Sequence, residues 1–153
     1  FAAGTTFVFS LGDDGTGTLL DRAAQFGDTH EPVARGTDDL AAILYTSGTT
    51  GRSKGAMLSH GNLLSNAEVL KTAWGWRPDD VLVHALPIFH VHGLFVASHG
   101  ALLAGARMVW FAKFDAARVV ARLRGSSVFM GVPTLYVRML AESALDREAC
   151  ATM

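Results

Sequence analysis

The chain has 153 residues, half of them hydrophobic and 18% charged, which suits one folded domain and excludes a disordered tail. Its formal net charge of −1 supplies no field toward nucleic acid or an anionic membrane. The single cysteine, Cys150, excludes a disulfide framework and a thiolate zinc site, and suits a reducing cytosol.

Gly12-Asp13-Asp14-Gly15-Thr16-Gly17 is a turn cluster, and Thr18 stands where it can cap a short helix through Leu19, Leu20, Ala23 and Ala24. Residues 27–39 hold Gly27, Pro32 and several acids and read as a surface connection. Residues 1–39 are therefore expected to be an irregular lead-in, and residues 40–153 the ordered subdomain. Phe1-Ala2-Ala3-Gly4 has no basic segment and no following apolar run, so no secretory signal is expected. The chain opens on Phe1 and closes on Ala151-Thr152-Met153 just after a helix-like stretch, which predicts a piece of something longer.

From Leu40 the pattern changes. Ala41-Ala42-Ile43-Leu44-Tyr45 predicts a buried strand running into a Gly/Ser/Thr loop, and Ala56-Met57-Leu58 a second short strand. Leu63, Ala67, Leu70 and Trp74 recur at the spacing of one helix face. Val81-Leu82-Val83-His84-Ala85-Leu86 predicts another buried strand, stopped by Pro87. A helix over residues 94–103, a strand over 107–111 and a helix after Asp115 follow. That helix carries Ala116, Val119, Val120 and Leu123 on one side. Val128-Phe129-Met130-Gly131 predicts the last strand, and Pro133 fits the first turn of a final helix.

The apolar window over residues 93–112 is long enough to span a bilayer. His99 and Arg107 interrupt it and Gly100 and Gly105 punctuate it, so a buried helix followed by a strand is expected, without membrane insertion. Strands alternating with helices predict an α/β fold with a largely parallel sheet, crossover helices and both faces covered. Ligands of such sheets gather beyond the carboxyl ends of strands. That rule directs attention to residues 46–55, 87–93 and 131–134.

The first of these is Thr46-Ser47-Gly48-Thr49-Thr50-Gly51-Arg52-Ser53-Lys54-Gly55. Its glycines permit tight turns and close approach of backbone to a ligand. Its hydroxyls and successive N–H groups offer hydrogen bonds to an anion, and Lys54 adds a mobile positive charge. The Walker pattern is not met, because Ser53 precedes the lysine and Gly55 follows it. Composition alone leaves a plain surface loop open. The ordered pattern decides for phosphate, since average residue usage gives a chance match on the order of one in a million.

Tyr45 through His60, with that loop at its centre, resembles the phosphate-loop signature of adenylate-forming enzymes, the superfamily of acyl-CoA synthetases, luciferases and peptide-synthetase adenylation domains. Many members carry Pro where Ser53 stands; the Arg52-Ser53-Lys54 version is similar to malonyl-CoA synthetases. The resemblance runs from about Asp38 to Leu140. It implies part of the large N-terminal domain of such an enzyme, with the C-terminal lid domain outside the chain. It also implies ATP, Mg2+ and coenzyme A as cofactor and cosubstrates, and a small carboxylic acid as substrate; the cysteine usage adds the expectation of a cytoplasmic setting. Thr46, Ser47, Gly48, Thr49, Thr50, Gly51 and Lys54 are implied to hold the β- and γ-phosphates, with Lys54 catalytic. Magnesium, the lysine and oriented N–H dipoles would offset the repulsion between a carboxylate and the nucleotide.

Leu86-Pro87-Ile88-Phe89-His90-Val91-His92-Gly93-Leu94 resembles the aromatic-histidine segment that lines the acyl pocket of the superfamily. His90 matches the motif's histidine, implied to border the acyl carboxylate. His92 stands where many relatives carry an aromatic, so a polar wall replaces an apolar one, as a second substrate carboxylate requires. Malonate or a short α-substituted malonate is therefore the expected acid. Val91 and Gly93 complete the segment.

Gly131-Val132-Pro133-Thr134 resembles the segment leading into the helix beside the acyl and thiol sites. It is equally a plain strand-to-helix turn, with Val132 and Pro133 carried as pocket-wall residues. His90 and His92, two apart, have no local carboxylate or cysteine to complete a ligand set, so no metal site is assigned to them. His84 and His99 read as core histidines. Arg107, Lys113, Arg118 and Arg138 are each able to meet a substrate carboxylate or a CoA phosphate, and the sequence leaves them undivided. Trp74, Trp76 and Trp110 read as packing residues.

The later motifs that complete turnover in the superfamily lie outside residues 1–153, so the fragment is expected to be inactive alone and prone to self-association through uncovered apolar edges. A peptide-synthetase adenylation domain and a non-catalytic nucleotide- or polyphosphate-binding module stay open as alternatives.

Overall fold

The computed structural model describes residues 7–46 and 54–153. They divide between two units, with the boundary between Ala34 and Arg35. In the first, Gly12 to Thr16 forms the expected turn, closed by a 2.7 Å bond from the Gly12 N–H to the Thr16 carbonyl. The Thr16 backbone N–H and hydroxyl both donate to Asp14, at 3.0 and 2.8 Å, and hold its carboxyl below the usual carboxylate range. Helix α1 follows over Thr18–Ala23. Gly17, at φ 134°, occupies the cap position, and Thr18 is the first helical residue. The Thr18 hydroxyl instead accepts the Ser10 N–H at 2.9 Å, a partner eight residues away that short-range capping rules do not reach. None of the α1 side chains is buried.

The second unit opens on strands β1 (Leu40–Thr46) and β2 (Lys54–Ser59), paired antiparallel. They form a two-stranded sheet of their own, with no crossover helix between them among the described residues. With a single neighbouring strand, β1 leaves Ile43 and Tyr45 exposed, where a buried strand was expected. Helix α2 (His60–Trp74) starts on a reciprocal cap. Ser59 Oγ accepts the Asn62 N–H at 3.2 Å and Asn62 Oδ1 accepts the Ser59 N–H at 3.0 Å. Gly75 ends the helix at φ 66°, the left-handed conformation that glycine adopts without steric cost.

The parallel sheet comprises β3 (Val81–His84), β4 (Arg107–Trp110) and β5 (Val128–Phe129), with β3 in the centre. Side chains alternate across a strand, and β3 therefore feeds two cores. Val83 packs with Ala116, Val119, Val120 and Leu123 of helix α4 (Ala116–Leu123) and with Met139 of helix α5 (Pro133–Leu140). Leu82, on the other face, packs with Trp76, Leu86, Ala97, Ala101 and Ala104. Both Leu82 and Val83 are fully buried, each side chain contributing roughly 1.5–3 kcal/mol. The expected α/β class and two-sided cover hold for this sheet. Asp115 caps α4 by accepting the Arg118 N–H at 2.9 Å, and all four of the apolar positions expected on α4's inner side are buried.

The window over residues 93–112 contains a π-helix (His92–Ala97), helix α3 (Ser98–Ala104) and β4. Among the described residues, no helix is long and apolar enough to cross a membrane. Small residues let α3 lie close: a Cβ on Gly100 would stand 3.0 Å from Trp76 Nε1. Trp76 is buried as expected, while Trp74 and Trp110 are each 52% exposed.

Candidate active site

Three chain segments leave the carboxyl ends of β3, β4 and β5 on the same side of the sheet, because the strands run parallel. Together they enclose a cavity of about 900 Å³. Residues 85–87 and 89–93 supply one wall, Phe111 to Phe114 a second, and Val132 and Leu135 the third. His90, Val91, His92, Gly93 and Val132 are thus brought together. Pro133 is not among the lining residues; it begins α5, with Val132 at the cap position.

The local chain path follows from its residues. Pro87 stops β3, and the His90 N–H turns back to the Pro87 carbonyl at 3.4 Å. The Leu94 N–H bonds the His90 carbonyl at 3.0 Å, which starts the helical path. His90 lies against Phe89, ring centroids 4.7 Å apart. His92 lines this cavity and also a neighbouring one of about 310 Å³, shared with Trp74, Trp76 and Tyr136.

The wall is apolar except for His90, His92 and Lys113. Of the four cations left undivided by the sequence, Lys113 lines the cavity. The guanidinium groups of Arg118 and Arg138 instead stand over the rings of Phe111 and Phe114, at 5.6 and 4.9 Å, and neither residue lines the cavity. Residues 111–114 were not among the segments singled out. The rule that ligands sit past strand ends applies to them as it does to 87–93, because they follow β4.

The expected phosphate loop divides differently. Thr46 and Lys54 face each other in the β1–β2 register, so the backbone is pinched at the base of the loop. Ser47, Gly48, Thr49, Thr50 and Gly51 lie outside the described residues. His84 is a buried core histidine, as expected. His99 is partly buried, edge-on to Phe95 with centroids 5.2 Å apart.

A family model described as AMP-binding enzyme matches residues 4–152. The chain is 37% identical over 134 residues to a malonate–CoA ligase of Arabidopsis thaliana, covering 79% of this chain and 22% of that protein. ATP-bound MatB from Rhodopseudomonas palustris superposes with a TM-score of 0.87 and 52% identity, over 95% of this chain and 29% of that one. A malonyl-CoA ligase in ternary product complex with methylmalonyl-CoA and AMP superposes with a TM-score of 0.72 and 35% identity, over 80% of this chain and 27% of that one. The chain spans about a fifth of the length of the curated relatives that it matches.

Proposed function

The chain belongs to the AMP-binding enzyme family, and from that premise we propose that the whole protein is an ATP-dependent acid–CoA ligase for malonate or an α-substituted malonate. The observation that carries this reading is the cavity at the strand ends, apolar but for His90, His92 and Lys113. A second carboxylate on the acid is costly to bury without partners, and these three side chains can supply them. The volume exceeds what a three-carbon diacid fills, which fits a site that also admits a thiol.

In the proposed reaction a carboxylate oxygen of the acid attacks the α-phosphorus of ATP. The bond from that phosphorus to the bridging oxygen breaks, and pyrophosphate leaves with the electron pair. The sulfur of coenzyme A then attacks the acyl carbon, the thiol proton is released, and AMP departs from the adenylate. His90 borders the reacting carboxylate. Thr46, Ser47, Gly48, Thr49, Thr50, Gly51 and Lys54 hold the leaving pyrophosphate by hydrogen bonds and one positive charge. No carboxylate is among the residues lining the cavity, so these residues do not form a magnesium site of their own.

Exchange of pyrophosphate into ATP, measured on the full-length protein, tests this reading. Exchange dependent on malonate is expected, with acetate and long-chain acids poor; absence of exchange with every carboxylic acid overturns it. The 153-residue chain alone is proposed to be inactive, and a burst of AMP from malonate, ATP and CoA would contradict that. Tyr45, Met57 and Leu140, each more than two-thirds exposed, support self-association of the isolated chain, which sedimentation reads directly. A cytosolic setting is part of the same proposal.

A further inference from the structure

Strand β3 ends in a buried histidine. His84 is 1% exposed and follows three buried apolar residues, Val81 to Val83. Its Nε2 lies 2.9 Å from the carbonyl oxygen of Gly93. That oxygen also accepts the Ser98 hydroxyl at 2.8 Å and the Ser98 backbone N–H, which closes the π-helix. A carbonyl oxygen only accepts, so Nε2 carries the ring proton and donates to Gly93. Ser98 Oγ stands 3.2 Å from the same Nε2; having given its own proton to Gly93, it offers that N–H a lone pair.

This tautomer makes Nδ1 a bare acceptor. Nδ1 is buried and has no hydrogen-bond partner among the described residues, an arrangement that a leucine or methionine would avoid. Besides its stack on Trp110, the imidazole at this position contributes what its Nε2–H holds. It holds the carbonyl of the residue directly after His92 and three after His90. Gly93 has little freedom of its own: a Cβ there would press into the Pro87 carbonyl and stand 3.2 Å from Leu86 Cβ. A π-turn is uncommon and is found disproportionately at functional sites. Here it begins at His92, and the Leu94 N–H within it bonds the His90 carbonyl.

We propose that His84, together with Ser98, is a positioning residue of the acid site: it clamps the Gly93 carbonyl, fixes the π-turn and so sets His90 and His92 against the bound acid. This rests on the ligase reading above. The test uses the full-length protein and three variants. His84→Met keeps bulk and removes the donor, His84→Gln returns an N–H near the same reach, and Ser98→Ala removes one of the donors to Gly93.

Amide hydrogen exchange over residues 92–98 needs no activity. His84→Met is expected to speed exchange there at least tenfold while Val119 and Val120, on the opposite face of the sheet, keep their rates; His84→Gln stays within about threefold of the parent. In malonate-dependent pyrophosphate exchange, His84→Met raises the KM for malonate at least tenfold with the KM for ATP within twofold, and His84→Gln recovers most of the loss. Unchanged amide exchange in His84→Met overturns the proposal, as does equal damage in His84→Met and His84→Gln. Should His84→Met fail to fold, faster exchange at 92–98 in Ser98→Ala beside a normal His84→Gln supports the clamp, and parental exchange in both overturns it. If the parent protein activates no acid, the ligase reading falls and the amide measurement alone decides the clamp.

Discussion

The imidazole of His84 lies against the indole of Trp110, ring centroids 4.1 Å apart and planes 20° from parallel, where β3 and β4 pair in register. One face of Trp110 thus covers a buried histidine while the residue as a whole is 52% exposed. A stacked aromatic pair is worth about 0.5–1.5 kcal/mol beyond its area. Trp110→Ala is expected to destabilise the domain by about 1–2 kcal/mol in urea denaturation, and Trp110→Phe by less than half of that. Parental stability in Trp110→Ala would show that the indole covers nothing of consequence.

Gly93 is the next constrained position. The added methyl of Gly93→Ala meets backbone, the Pro87 carbonyl, rather than the end of a flexible side chain. Relief requires the segment after β3 to shift, so the substitution is expected to cost about 1–3 kcal/mol and to lower the melting temperature. The same substitution at Gly75, where no heavy atom lies within 4 Å of the added Cβ but φ is +66°, tests backbone strain without crowding. A Gly93→Ala protein as stable as its parent contradicts the crowding.

The contrast between α4 and β1 explains how much of this fold was readable in the sequence. Ala116, Val119, Val120 and Leu123 announce a helix face because their spacing repeats with the helix, and all four are buried. Val81 to Leu86 likewise reads as a buried strand, and β3 within it is buried throughout. The run Ala41 to Tyr45 has the same apolar content, yet its direction relative to β2 depends on the loop between them, which hydrophobic pattern does not encode. Thr18 shows a similar limit, since its hydroxyl is claimed by distant Ser10. At the site, residues 87–93 carried a recognisable motif, whereas Phe111 to Phe114 carried none. The clamp of His84 on Gly93 was hidden because its donor and acceptor are nine residues apart and meet only when the chain turns back over β3.

Lys54 stands opposite Thr46 at the base of the loop. If it offsets charge on the departing pyrophosphate, its removal weakens an interaction that matters most as the α–β bond breaks. Lys54→Ala in the full-length protein is then expected to lower malonate-dependent pyrophosphate exchange by on the order of 10²–10³-fold, with Lys54→Arg less impaired. Exchange at the parental rate in Lys54→Ala would falsify the assignment.

His92 offers the sharpest handle on substrate choice, because it faces two cavities and both would change with it. A phenylalanine keeps a ring in the wall but removes both nitrogens. A monocarboxylic acid loses nothing by that exchange, whereas a diacid loses a partner for the carboxylate that does not react. Unpaired polar groups in a desolvated site discriminate far more strongly than a missing methylene does, though Lys113 remains in the same wall and moderates the loss. His92→Phe is therefore expected to shift the kcat/KM ratio of malonate over propionate by on the order of ten- to a hundredfold toward propionate. The shift should come mainly from a higher KM for malonate, since the reacting carboxylate is proposed to lie at His90. An unchanged ratio would mean that His92 does not meet the second carboxylate, with Lys113→Met the variant that tests the other cation of the wall.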